Sequence, residues 1–150
     1  MKFLAVVVCA FELLASPVSA AEVGAALIMS TLHVSGDHLR VKDSGGHLDV
    51  YYRQCGSWDG PAMRKRFQAD LIRLLPVLLA NAPNMHFAHI HGGCEYSDPK
   101  KPDTTTHFDE DAISASFTRE AIAATEFSTV DPEYLFNTTS FGRWMNPDMR

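Results

Sequence analysis

The chain has 150 residues, 46% of them hydrophobic, and its 18 Asp and Glu outweigh 13 Lys and Arg for a net charge of −5. A mildly acidic chain of this kind has no basic excess with which to hold a phosphate backbone or an anionic lipid surface, so nucleic-acid binding is disfavoured. No stretch beyond the N-terminus runs the roughly 20 uncharged, proline-free residues that a membrane helix needs, which excludes a transmembrane anchor from the expected architecture.

In chain order, residues 1–20 read as a cleavable secretory signal peptide. Lys2 supplies a positive start, Phe3 to Phe11 an apolar core, and Ser16-Pro17-Val18-Ser19-Ala20 a chain-breaking run of small residues that a signal peptidase recognises. Export to a periplasm or to the extracellular space is the expectation, leaving residues 21–150 as one compact domain. Cys9 leaves with the signal; Val8 before it is too bulky for a lipoprotein cleavage site. Cys55 and Cys94 remain, and in an oxidising compartment an isolated pair is most simply a disulfide. Its closed loop of about 40 residues would contribute on the order of 4 kcal/mol by the chain-entropy argument.

Residues 23–34 (VGAALIMSTLHV) suit a short helix packed on the core, with a strand as the alternative because of their Val, Ile and Thr. Residues 38–42 and 47–53 each alternate apolar with polar and are joined through Asp43-Ser44-Gly45-Gly46, the pattern of a β-hairpin. Leu39, Val41, Leu48, Val50 and Tyr52 would share one face, leaving Arg40, Lys42 and Asp49 toward water.

The spacing of Met63, Phe67, Leu71, Leu74, Leu75 and Leu78 predicts a helix over about 61–80, started at Asp59-Gly60-Pro61, stopped at Asn81-Ala82-Pro83-Asn84 and kinked by Pro76. Met85 to His91 reads as a strand entering a turn at Gly92-Gly93, and 97–107 as a polar loop. A second helix is expected over about 109–127 from Ile113, Phe117, Ala121 and Ala124, against a rival strand reading of 113–117. Tyr134, Phe136, Phe141 and Trp144 in the tail would cover a core edge or form an adhesive surface. The fold expected from these elements is α+β, a small antiparallel sheet packed against two helices (about 61–80 and 109–127); an all-α arrangement is the rival.

Chemistry concentrates in His86-x-x-His89-x-His91. On a strand, His89 and His91 project from one face, within reach of one ion as a two-imidazole chelate, with His86 on the other. A third ligand would come from His107, Glu95, Asp98 or Asp109, and such a set favours zinc or copper. Alternatively these histidines hydrogen-bond backbone or face water, or act with Glu95, Arg53 and His107 in acid–base hydrolysis of an ester or phosphodiester. A Cys94–His91 thiolate pair is a poor reading, because a disulfide would consume the thiol. Arg64-Lys65-Arg66 puts three cations in the first turns of a helix, where the macrodipole disfavours them, and would suit contact with an anion or a partner unless it is a solvated basic face. Asn137-Thr138-Thr139 is a glycosylation acceptor only in a eukaryotic secretory pathway.

No catalytic elbow, phosphate-binding glycine loop or zinc-helix motif is present. The leading expectation is therefore a small exported, non-enzymatic protein that binds another protein or an envelope component. A zinc- or copper-binding protein and a small secreted acid–base hydrolase are the alternatives.

Overall fold

The computed structural model describes residues 20–55, 60–96 and 107–145. The expected signal segment therefore lies almost wholly outside the described residues, as do Asp59, Asp98 and most of the 97–107 loop. The fold is α+β: a five-stranded sheet with strand order β1-β2-β3-β4-β5, comprising β1 (Leu39–Ser44), β2 (His47–Cys55), β3 (Phe87–Tyr96), β4 (His107–Thr118) and β5 (Gly142–Met145). Three helical segments matter most: α1 (Ala20–Leu32), α2 (Gly60–Asn81) and the short α3 (Arg119–Ala123).

The hairpin forms as its alternation demands. Leu39 pairs with Tyr52, Val41 with Val50 and Asp43 with Leu48, so the apolar positions fall on one face. The connection is the two-residue turn Gly45-Gly46, both at positive φ, the backbone that matches the twist of the flanking strands. Gly46 is doubly constrained, since a Cβ there would lie 2.6 Å from the His86 ring and 2.9 Å from the Asn84 carbonyl.

All six residues of the predicted α2 stripe are buried, and the helix is continuous past Pro76. It carries the chain back across the sheet, so that β3 runs parallel to β2. The sheet is thus mixed and not antiparallel throughout: a connection of this length and helical content is what a parallel pair requires. At the far end of α2, the Arg119 guanidinium donates to the carbonyls of Ala82 (2.9 Å) and Leu79 (3.3 Å), groups that the helix end leaves without intrahelical partners.

Two further expectations are corrected. The helix over 109–127 is absent; its first part is β4, paired antiparallel to β3 from Tyr96↔His107 to Phe87↔Thr118, and only Arg119–Ala123 is helical. Ile113, Ala115 and Phe117 are buried between Ser114 and Ser116, which face the other way, so period two prevails over the helical spacing. Thr118 then caps α3, its side chain accepting from the Ala121 N–H at 3.1 Å. Nor does the chain turn at Gly92-Gly93, because β3 continues to Tyr96. Glycine at 92 is a packing requirement: a Cβ would sit 2.9 Å from the Phe67 ring, 3.0 Å from Ile113 and 3.1 Å from Gln54 Oε1.

The core lies on the face of the sheet where α1, α2 and the segment around Leu135 and Phe136 pack. Phe67 is its centre, stacked on Tyr52 at 6.4 Å and met edge-on by Phe136 at 5.9 Å. Within it sits a carboxylate, Asp70, only 3% exposed. The Tyr52 hydroxyl donates to its Oδ2 at 2.9 Å, Gln54 Nε2 lies 3.5 Å from the same oxygen, and Arg73 donates to Oδ1. Burial, then the Asp70 charge and this hydrogen bond, push the Tyr52 phenol well above its ordinary value, against smaller opposing effects of Arg73 and Arg66.

Candidate functional site

Helices cover one face of the sheet. On the other, the outward positions of β2 and β3 form two facing rows: the parallel register sets His47 opposite Phe87, Asp49 opposite His89 and Tyr51 opposite His91. His89 and His91 do share a face, as strand parity requires. Their nearest rings are not a third histidine from β4 but residues of β2.

Rings cover this face almost continuously. His47 stacks on Phe87 at 4.8 Å and lies parallel to His89, with centroids 5.9 Å apart and planes within 4°. Phe141 stands edge-on to both Phe87 (5.9 Å) and His89 (6.2 Å). Farther along, His91 stacks on Tyr51 at 4.2 Å, and the Arg40 guanidinium lies 4.9 Å above the Tyr51 ring. Phe141 is 59% exposed and Trp144, on the adjoining edge strand, 44%. Isolated exposed rings are ordinary, whereas a set of neighbouring rings on a sheet face that no described helix covers is a candidate interaction surface.

His89 Nδ1 and Ser116 Oγ are 2.9 Å apart, a bond that fixes the ring orientation from β4. Partial burial lowers the His89 pKa from its ordinary value; Asp49 opposes the shift, and the neighbouring His47 and His91 add to it. His89 is therefore neutral at physiological pH, which suits flat stacking between rings. Arg40 and Lys42 flank the rows on β1, and Asp49 is the one carboxylate among the described side chains of the two central rows.

The expected metal set His89, His91 and His107 is drawn apart by the register. His107 is the partner of Tyr96, five strand positions past His91, a backbone separation of about 17 Å. Among the described residues no group of three or more His, Cys, Asp or Glu is disposed to hold a metal ion. His86 precedes β3, is exposed, and lies over Gly46. Cys55 and Cys94 are direct register partners on β2 and β3. Neighbouring strands run about 4.8 Å apart, inside the Cα separation of about 4.4–6.8 Å that a disulfide spans.

The three cations of α2 point in different directions, since consecutive helical residues lie about 100° apart around the axis. Arg64 pairs with Glu133 at 2.8 Å, Lys65 is exposed, and Arg66 donates to the Gln54 carbonyl at 2.6 Å. Asn137 is half-buried, and its side-chain amide lies 3.3 Å from Glu133. No helix among the described residues is long and apolar enough to cross a membrane.

Comparison of the chain with protein-family models, curated proteins and solved structures finds no match. Function is accordingly argued from the site alone. The residues that sequence reasoning passed over are His47, Tyr51 and Phe87. Each sits at an outward strand position, but only the parallel pairing, which is not a local property of the chain, brings the two rows together.

Proposed function

We propose that the protein is a small exported binding protein whose ring-bearing sheet face, which none of the described helices covers, docks on the surface of another protein. The observation that carries this reading is the contiguous ring surface formed by His47, Tyr51, Phe87, His89, His91 and Phe141, with Trp144 at its margin. Aromatic side chains bury large areas with little loss of rotamer freedom and dominate the energetics of interfaces. The flanking Arg40 and Lys42 favour a partner whose contact surface carries carboxylates around an apolar centre, because complementary charge steers encounter and selects orientation. Export and a Cys55–Cys94 disulfide belong to the same proposal. The leader-like N-terminus supports the first, and the register pairing of the two cysteines supports the second.

The test compares the wild-type chain with a Phe141→Glu variant and a Trp144→Glu variant, and with Ala80→Glu, which places the same single charge on the exposed side of α2. Affinity capture from the native compartment should recover a partner with wild type and Ala80→Glu but not with either face variant. Titration of the purified partner should then show affinity falling at least tenfold for each face variant and with rising salt. A partner retained by either face variant, or self-association that consumes this face in light scattering, would refute the proposal.

A further inference from the structure

A second feature lies on the helical side of the sheet, at the turn end of the hairpin. Period two places Asp43 on the same side of β1 as Leu39 and Val41, opposite Leu48, where the alternation calls for an apolar residue. Lys42, one position before it, pairs with Asp49 on the other side. An inward-pointing charge is one way in which an edge strand is protected from further pairing. Asp43, however, also lines a pocket of about 70 Å³ between α1, the hairpin and the last turn of α2. Gly24 opens this pocket from the α1 side, since a Cβ built there meets nothing within 4 Å.

The walls are apolar and the electrostatics have one sign. Ile28, Leu48, Leu78 and Met85 are buried and form the depth of the pocket, whereas Leu27 and Asp43 are exposed and stand at its rim. Asp43 is the one charged residue among the described residues of the lining. It accepts the Gly46 N–H through Oδ1 at 3.3 Å and enters neither the Arg64–Glu133 nor the Arg73–Asp70 ion pair. Val77, Leu78 and Asn81 bring in the C-terminal end of α2, the negative end of the helix dipole, with no basic residue in its last turn. Arg119 meets that end at the Leu79 and Ala82 carbonyls and is not part of the lining.

We infer that this pocket binds a small primary alkylammonium ion, its aliphatic chain among Ile28, Leu48, Leu78 and Met85 and its ammonium group beside the Asp43 carboxylate. An apolar depth with a negatively charged acceptor at the rim complements a short chain ending in a cation that donates and cannot accept. The volume is roughly half that of the ~150 Å³ cavity that accommodates benzene, so a short chain fits and a six-membered ring does not. The order of the groups selects a free amine. A lysine side chain of a partner would enter ammonium first, into the apolar depth, where an unpaired charge is strongly disfavoured. The pocket lies on the opposite side of the sheet from the rings, so this inference stands apart from the docking proposal.

The test is NMR titration of the full-length chain with n-butylammonium chloride, against n-butanol, ammonium chloride and sodium butyrate at matched ionic strength. The Gly24, Leu48 and Met85 amides of the wild-type chain should move along one saturation curve with n-butylammonium, at least threefold tighter than with any of the other three. Asp43→Asn, which keeps an oxygen for the Gly46 N–H, should weaken binding at least threefold. Asp37→Asn, which removes an exposed carboxylate outside the lining, should leave it unchanged. Gly24→Leu should abolish binding by placing a side chain in the opening, and because leucine is the better helix former the melting temperature should not fall. Equal binding of n-butanol, shifts that follow ionic strength alone, shifts that leave those amides in place, or binding retained by both Gly24→Leu and Asp43→Asn would overturn the inference.

Discussion

Replacing Tyr52 by Phe removes one oxygen from the core and leaves the ring stacking on Phe67 in place. Asp70 Oδ2 then loses its 2.9 Å donor and keeps only the longer contact to Gln54 at 3.5 Å. A hydrogen bond to a charged group contributes about 1.5–3 kcal/mol, so the expected loss at pH 7 is about 2 kcal/mol. For a domain of this length that lowers Tm by roughly 5–10 °C. The same bond predicts a pH signature. The phenol pKa is raised on folding, so between its ordinary value near 10 and the higher folded value the native state binds more protons than the unfolded state. The stabilisation is therefore fully present below pH 10 and is lost as pH rises beyond it, at up to about 1.4 kcal/mol per pH unit. Urea unfolding from pH 7 to 11.5 for wild type and Tyr52→Phe would measure both effects. The two stability curves should lie about 2 kcal/mol apart at pH 7 and converge above pH 10. Curves that stay parallel throughout would refute the assignment of the buried phenol as the donor to Asp70.

Gly92→Ala should destabilise by about 1–3 kcal/mol in denaturant unfolding, because the new methyl group meets the Phe67 ring, Ile113 and Gln54 at 2.9–3.1 Å in a closed core. For His89 the sign is opposite to that for Tyr52: its folded pKa is depressed, so its contribution is present above the unfolded value near 6.5 and is lost as pH falls through the lower folded value. His89→Gln should flatten the acid limb of the stability curve, and NMR titration of the His89 imidazole should give a midpoint below the ordinary histidine value near 6.5. If Cys55 and Cys94 are joined, intact mass will be 2 Da below the reduced value, and reduction will cost on the order of 4 kcal/mol in thermal unfolding under matched conditions; an unchanged mass on reduction would count against the bond.

The α+β class was legible because two elements carry unambiguous periods. The α2 stripe from Met63 to Leu78 fits 3.6 residues per turn, and the 39–52 hairpin alternates on both sides of a two-glycine turn. Residues 113–124 were misread because Ile113 and Phe117 lie four apart, a spacing that both periods permit. Ser114 and Ser116 hold the discriminating information, and it counts only once β3 is known to lie alongside. Gly92 was taken for a turn residue because nothing local reveals that Phe67 requires its missing side chain. The site divides in the same way. Strand parity alone put His89 and His91 on one face, whereas the partners that define their surroundings come from β2 through a parallel register established by 31 intervening residues between Cys55 and Phe87.

The two-sided alternation of β2 and β3 also bears on how the protein can change over time. Val50, Tyr52, Ala88 and Ile90 answer to the packed helices, whereas Asp49, Tyr51, His89 and His91, interleaved with them, answer to whatever meets the outer surface. Selection for a new partner can therefore rewrite every second residue of the central strands at a smaller cost in folding free energy than changes to the packed face. A library restricted to those odd-numbered positions is a means of redirecting binding on an unaltered scaffold.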